Sequence, residues 1–174
     1  NDLSEFRITG KQKYAACEYE IEGDYSGAAF WMVAAAINGS VTLHRLKKES
    51  LQADAVVVDL LRQTGAGVKQ TSESVHVESS GTINAFSFNA TDCPDLIPAL
   101  TVLACFAEGE CRVSGASRLK AKESDRSAAL VSELTKMNAR VSVNDDELII
   151  QHSKLHGALV NSHSDHRIAM SLSI

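Results

Sequence analysis

The chain has 174 residues, is 44% hydrophobic and 22% charged, contains only two prolines and carries a formal net charge of −5. That length can bury a full core, and the balance of apolar and charged residues excludes a disordered chain. The acidic balance weighs against nucleic acid as a partner, and the longest apolar run, Ala28 to Ile37, falls far short of the ~20 residues that cross a bilayer.

Ala15 to Glu20 predicts a first strand. Ser26 to Gly39 reads as an apolar helix, with Ser26 as its cap and Gly39 as its stop. Ser40 to His44 alternates as a strand, and Leu51 to Thr64 is a second helix with Leu51, Ala55, Val58 and Leu60 or Leu61 on one face. Gly65-Ala66-Gly67 turns into Val68 to Gln70, and Val75 to Val77 returns as its hairpin partner. The same order then recurs. Ala85 to Asn89 is a strand, Asp95 to Ala107 an apolar helix closed by Gly109, and Cys111 to Val113 a strand. Ser124 to Met137 is a helix, and Arg140 to Val143 pairs with Glu147 to Gln151 across Asn144-Asp145-Asp146. Gly39 matches Gly109, Ala66 matches Ala139 and Val75 matches Leu148, a period of about 70 residues.

The pattern predicts an α/β (α+β) chain of β-α-β-α-β-β units, one over 15–80 and a second over 81–152. Residues 153–174 open a third with Leu159-Val160 and a helix beginning at Asp165 to Met170. That helix stops with an apolar face left to water, so 1–174 is expected to be one incomplete domain, a piece of a longer protein. Asn1 to Glu5 is polar and has no signal-peptide pattern, so a cytoplasmic protein with no membrane partner is expected.

Cys17, Cys93, Cys105 and Cys111 lack C-x-x-C spacing, which predicts free thiols rather than a zinc site or a disulfide framework. Cys93 beside Pro94-Asp95 is a candidate nucleophile without a neighbouring His, and His163-x-x-His166 a candidate metal pair without further ligands.

Charge is concentrated from Arg118 to Arg126, where Arg118, Lys120, Lys122 and Arg126 precede the apolar helical run. Glu123-Ser124-Asp125 suits a helix start, but cations there oppose the macrodipole and argue for an anion; a charged surface turn is the alternative. Asp24 to Ser26, Asp92 to Asp95 and Asp165 to Arg167 also fall at predicted helix starts. Parallel helices would gather all four clusters at one end, where Lys122, Arg126, Arg167 and Lys120 could form a concave anion-binding face.

Lys122-Glu123-Ser124-Asp125-Arg126, after Arg118-Leu119-Lys120, resembles the signature of the 5-enolpyruvylshikimate-3-phosphate synthases, the 3-phosphoshikimate 1-carboxyvinyltransferases. Asp165-His166-Arg167-Ile168-Ala169-Met170 resembles a second motif of that family, and Cys93-Pro94-Asp95 the Pro-Asp that carries its catalytic carboxylate. Glu22 to Ala29 resembles a fourth, with Gly27 where many members have a second Ser. The resemblance covers nearly the whole chain but most of only one of the family's two domains.

The resemblance implies an inverse α/β barrel whose parallel helices direct their N-termini into an interdomain cleft. It implies transfer of the enolpyruvyl group of phosphoenolpyruvate to the 5-hydroxyl of shikimate 3-phosphate, releasing phosphate, in aromatic amino-acid biosynthesis. Asp95 is then the general base and a shikimate 3-phosphate ligand, Glu123 the general acid, and Lys122 a shikimate 3-phosphate ligand that stabilises the intermediate. Arg126 and Arg167 bind phosphoenolpyruvate, with Asp165 and His166 in support. No metal and no organic cofactor is implied. The full enzyme is expected to be a monomer whose N-terminal domain and a C-terminal Lys complete the site, leaving these 174 residues inactive alone. The alternatives are the sister UDP-N-acetylglucosamine enolpyruvyl transferase, which lacks this motif pair, and a non-catalytic anion-binding unit.

Overall fold

Residues 5–174 are described in a computed structural model. From Glu5 to Asp24 the chain has no regular secondary structure. It meets the fold at Gly23, whose N–H donates to the Arg45 carbonyl at 2.7 Å, and at Ile21, whose carbonyl accepts from Arg45 Nη2 at 3.0 Å. The strand predicted over Ala15 to Glu20 does not form, because those exposed residues have no neighbouring strand among the described residues to complete a ladder.

Helix α1 (Tyr25–Ile37) is capped by Asp24 rather than by Ser26. An acceptor-only carboxylate takes two free N–H groups, those of Ser26 at 3.0 Å and Gly27 at 2.9 Å, and complements the dipole. Strand β1 (Ser40–His44) follows, then a 3₁₀ turn (Ala53–Val56), α2 (Val57–Gln63), β2 (Gly67–Gln70) and β3 (Ser74–Glu78). The second helix starts later than its apolar pattern predicts, and Leu51 is exposed instead of facing the core. Gln52 holds the preceding segment extended, donating to the Gly23 carbonyl and accepting from Tyr25 N–H, each at 2.8 Å.

The same order recurs behind an added strand: β4 (Ser87–Asn89), a 3₁₀ turn (Pro94–Leu96), α3 (Ile97–Phe106) and β5 (Glu110–Ser114). A 3₁₀ turn (Ala116–Leu119), α4 (Arg126–Lys136), β6 (Arg140–Asn144), β7 (Glu147–Gln151) and α5 (His166–Ser173) complete it. Leu159-Val160 forms no strand; Leu159 is exposed and its segment has no partner strand among the described residues.

The sheets have matching orders, β1-β3-β2 and β4-β5-β7-β6, with β4 parallel to β5 and every other pair antiparallel. Their central strands bury alternate residues, Val75 and Val77 on β3 and Leu148 and Ile150 on β7. Both second helices end in a Schellman motif. Ala66 N–H bonds the Leu61 carbonyl and Ala139 N–H the Leu134 carbonyl, around left-handed Gly65 (φ +95°) and Asn138 (φ 72°). Helix α3 is buried from Ile97 through Cys105, as an all-round apolar helix must be, and packs against α1, α5, β5 and β7. No described helix is long and apolar enough to cross a membrane.

Candidate active site

Three helix starts converge around Asp95, which lies in the turn leading into α3. The segment carrying Lys122 to Arg126 is fixed from behind by Gly115 and Asp146. Gly115 has φ +96°, and a Cβ there would lie 2.9 Å from Thr91 N, so only glycine fits. The Asp146 carboxylate accepts from Ser117 N–H at 2.7 Å and Gly115 N–H at 3.2 Å, anchoring the turn ahead of the motif. Asp125, not Ser124, caps α4, accepting from Ala128 N–H at 3.1 Å. Ser124 instead donates to Asp165 Oδ2 at 3.0 Å.

Arg126, the first residue of α4, is only 1% exposed. Its Nη1 meets Asp95 Oδ1 at 2.9 Å, its Nη2 meets Glu123 Oε2 at 2.5 Å, and its Nε meets Asp165 Oδ2 at 2.8 Å. A second contact, Nη2 to Asp165 Oδ1 at 3.3 Å, makes the Asp165 pair bidentate. Lys122 Nζ lies 3.1 Å from Asp95 Oδ1, and Arg167 Nη2 lies 3.4 Å from Asp95 Oδ2. Three carboxylates thus face three cations, and Asp95 touches all three cations. Arg167 Nη1 is buried with no hydrogen-bond partner among the described residues, so this guanidinium retains an uncommitted donor.

The field of the cations decides the protonation states. Burial pushes the Asp95 carboxyl up, but the Lys122 hydrogen bond, with Arg167 and Arg126, outweighs it and holds the carboxyl below its ordinary value. Asp165 behaves likewise: burial raises it, while Arg126, the Arg167 N–H and Ser124 bring it down. Asp165 also caps α5, accepting from Arg167 N–H at 2.9 Å, and so ties Arg126 to the helix that carries Arg167.

The residues expected as the site are therefore gathered, with some exceptions. His166 is exposed and makes no hydrogen bond to the cluster among the described residues. Arg118 and Lys120 face solvent, and Lys120 lines a shallow surface with Asp125, Ser127 and Ala128 instead of joining the anion face. Cys93 is buried and its thiol is pushed up to about 11 by that burial and by Asp54 and Asp92, which makes it a poor nucleophile. His163 Nε2 lies 3.0 Å from Glu133 Oε1, and no group of three metal-ligating side chains occurs among the described residues.

Two buried acids escaped the sequence reading. Asp54 receives the Ser26 hydroxyl at 2.5 Å; burial raises its carboxyl, as do the nearby Asp95 and Asp24 charges, against the lowering by Ser26 and Arg167. It is bonded to the α1 cluster and feels the charges of Asp95 and Arg167, and its position at the start of a predicted helix was a usable signal. Glu133, two turns into α4, is 1% exposed and grips the loop before α5. Within that loop His163 (φ 53°) and Ser164 (φ 55°) are both left-handed, at a cost on the order of 1–3 kcal/mol each.

The family model of EPSP synthase (3-phosphoshikimate 1-carboxyvinyltransferase) matches residues 1–174. The 3-phosphoshikimate 1-carboxyvinyltransferase of Brachyspira hyodysenteriae is 37% identical over 176 residues, covering 100% of this chain and 42% of that protein. The enzyme of the same name from Clostridium acetobutylicum is 41% identical over 170 residues, covering 97% of this chain and 39% of its own length. The solved EPSP synthase of Acinetobacter baumannii superposes with a TM-score of 0.74 at 30% identity, over 88% of this chain and 39% of that one. The chain thus spans about two fifths of the length of these relatives. With the family's model matching from first residue to last, the chain belongs to the EPSP synthase family.

Proposed function

We propose that these residues form one face of the active site of a 3-phosphoshikimate 1-carboxyvinyltransferase, completed by a second domain and a C-terminal lysine of the full-length enzyme. The observation that carries the reading is the convergence of Lys122, Arg126 and Arg167 on one carboxylate, Asp95. Asp95 takes the proton of the shikimate 3-phosphate 5-hydroxyl as that oxygen bonds to C2 of phosphoenolpyruvate. Glu123 delivers a proton to the methylene carbon, giving a tetrahedral intermediate. Glu123, left as a carboxylate, then takes back one methyl proton as the C2–O bond to phosphate breaks, which restores the double bond and releases phosphate. Lys122 contacts shikimate 3-phosphate and offsets charge in the intermediate, while the forks of Arg126 and Arg167 bind phosphoenolpyruvate oxygens.

Charge balance gives this assignment a consequence. Arg126 commits its donors to Asp95, Glu123 and Asp165, so an incoming carboxylate or phosphate competes with Asp95 and Glu123 for the same N–H groups. Substrate binding would thereby free the base and the acid it needs, while Asp165 keeps Arg126 in place. Arg167, with its uncommitted Nη1, would be the first anchor.

The test is phosphate release by the full-length enzyme in the presence of both substrates, compared with Glu123→Gln. The variant should be slower by about 10² to 10⁴. No two-substrate phosphate release by the unmodified enzyme would refute the proposal.

A further inference from the structure

We propose that Glu133 is a positioning residue for Arg167: α4 holds the loop that leads into α5, and so to Arg167, at two points, Arg126 at one end and Glu133 at the other. The inference rests on the reading of Arg167 as a phosphoenolpyruvate ligand.

Arg126 and Glu133 lie seven residues apart on α4, on the same buried face, about 10 Å along the axis. Arg126 grips Asp165. Glu133 Oε2 accepts the Asn161 N–H at 2.8 Å, and its Oε1 meets His163 Nε2 at 3.0 Å. Lys136 Nζ reaches both Glu133 oxygens, at 2.8 and 2.7 Å, and the Ser132 hydroxyl donates at 3.1 Å. A carboxylate so shielded, by partners that themselves face solvent, is saturated with donors.

Where the two grips meet lie the left-handed residues His163, itself held by Glu133, and Ser164. Neither is glycine, so the backbone there relaxes unless both flanks are held. The Asn161 side chain accepts from His163 N–H at 2.7 Å and the Ser162 carbonyl from Asp165 N–H at 2.9 Å, which fixes the turn internally but not its position on α4. Upstream the chain is tied to the end of α4, where His156 N–H donates to the Met137 carbonyl at 3.0 Å and Asn138 to the Lys154 carbonyl at 2.9 Å, but from Gly157 to Ser164 the described hydrogen bonds to α4 are those of Glu133. Ile168 and Ser171 keep the body of α5 packed on α3 and α4, so loss of the Glu133 anchor frees the 161–164 turn and the first turn of α5, where Arg167 lies, and loosens the placement of Arg167 beside Asp95.

The test uses the full-length enzyme and its Glu133→Ala, Glu133→Gln and His163→Ala variants, assayed by steady-state kinetics and by backbone hydrogen exchange over 161–167. Glu133→Ala should raise the KM for phosphoenolpyruvate between about tenfold and a hundredfold, since a displacement of about 1 Å far from the chemistry can cost that much. The KM for shikimate 3-phosphate should stay within about twofold, and the 161–167 amides should exchange faster. Glu133→Gln, which keeps an acceptor for Asn161, should fall between Glu133→Ala and the unmodified enzyme. Unchanged KM values with a kcat that merely follows the folded fraction would make Glu133 structural and overturn the proposal. If Glu133→Ala does not fold, Glu133→Gln and His163→Ala decide by the same criteria. An unmodified enzyme without transferase activity would refute the proposed function instead. The exchange result would then stand alone, and unaltered protection over 161–167 in the variants would overturn the anchor.

Discussion

At the scale of single residues, the two site arginines are not equivalent. Arg126 is buried and holds Asp165 through two nitrogens, whereas Arg167 makes one longer contact and has a donor to spare. Lysine keeps the charge but cannot make a two-pronged contact. Arg126→Lys should therefore raise the KM for phosphoenolpyruvate and also destabilise the protein by roughly 1–3 kcal/mol, while Arg167→Lys should raise the KM with little change in stability. Denaturant unfolding of both variants beside their kinetics checks this, and an Arg126→Lys protein of full stability would contradict the hub. The sequence made both arginines visible because their motifs are contiguous. It could not show that Arg126 is committed to carboxylates from three segments, since Asp95 and Asp165 lie 31 and 39 residues away along the chain. Glu133 carried still less signal: a Glu three residues before a Lys on a helix is ordinary surface patterning.

At the scale of elements, caps and turns set the directions of the site residues. Asn138 closes α4 in the left-handed region and donates to the Lys154 carbonyl at 2.9 Å. Asn138→Ala should cost about 1–2 kcal/mol, and Asn138→Gly much less, because only alanine brings a Cβ into that conformation without a compensating bond. Equal unfolding midpoints for the two variants would show that the Lys154 contact, not the backbone, is what Asn138 provides. Most helices and hairpins were legible because apolar periodicity survives in each of them, as in Val75 and Val77 or Leu148 and Ile150. The misses have tertiary causes that local composition does not carry. Ala15 to Glu20 and Leu159-Val160 have strand-like composition but no partner edge, and Leu51 has an apolar side chain but a neighbour, Gln52, tied to the entry of α1. The first cap lies two residues earlier than predicted, Asp24 in place of Ser26, and α4 starts at Arg126 behind the Asp125 cap rather than at Ser124.

At the scale of the whole molecule, stability and the proposed function draw on the same carboxylates. Asp95, Asp165 and Glu133 all titrate below their ordinary values, so each stabilises the fold above the ordinary carboxylate range and loses that contribution as pH falls. For Glu133, held down to about 2 by Lys136, the Asn161 N–H and His163, the loss runs from pH 4.5 towards 2. The stability gap between the unmodified enzyme and Glu133→Gln should be constant above about pH 5 and shrink below it. A gap independent of pH down to 2 would mean that the ionised form is not favoured by folding. The central claim concerns Asp95, where three cations meet and a substrate hydroxyl would lose its proton. The most direct measurement is turnover and phosphoenolpyruvate affinity of Asp95→Ala in the full-length enzyme. Turnover should fall by about 10² to 10⁴, while phosphoenolpyruvate binds as well as before or more tightly, because Asp95 no longer competes for Lys122, Arg126 and Arg167. Near-normal turnover would contradict the account and leave Asp95 as no more than the counter-ion of a structural arginine.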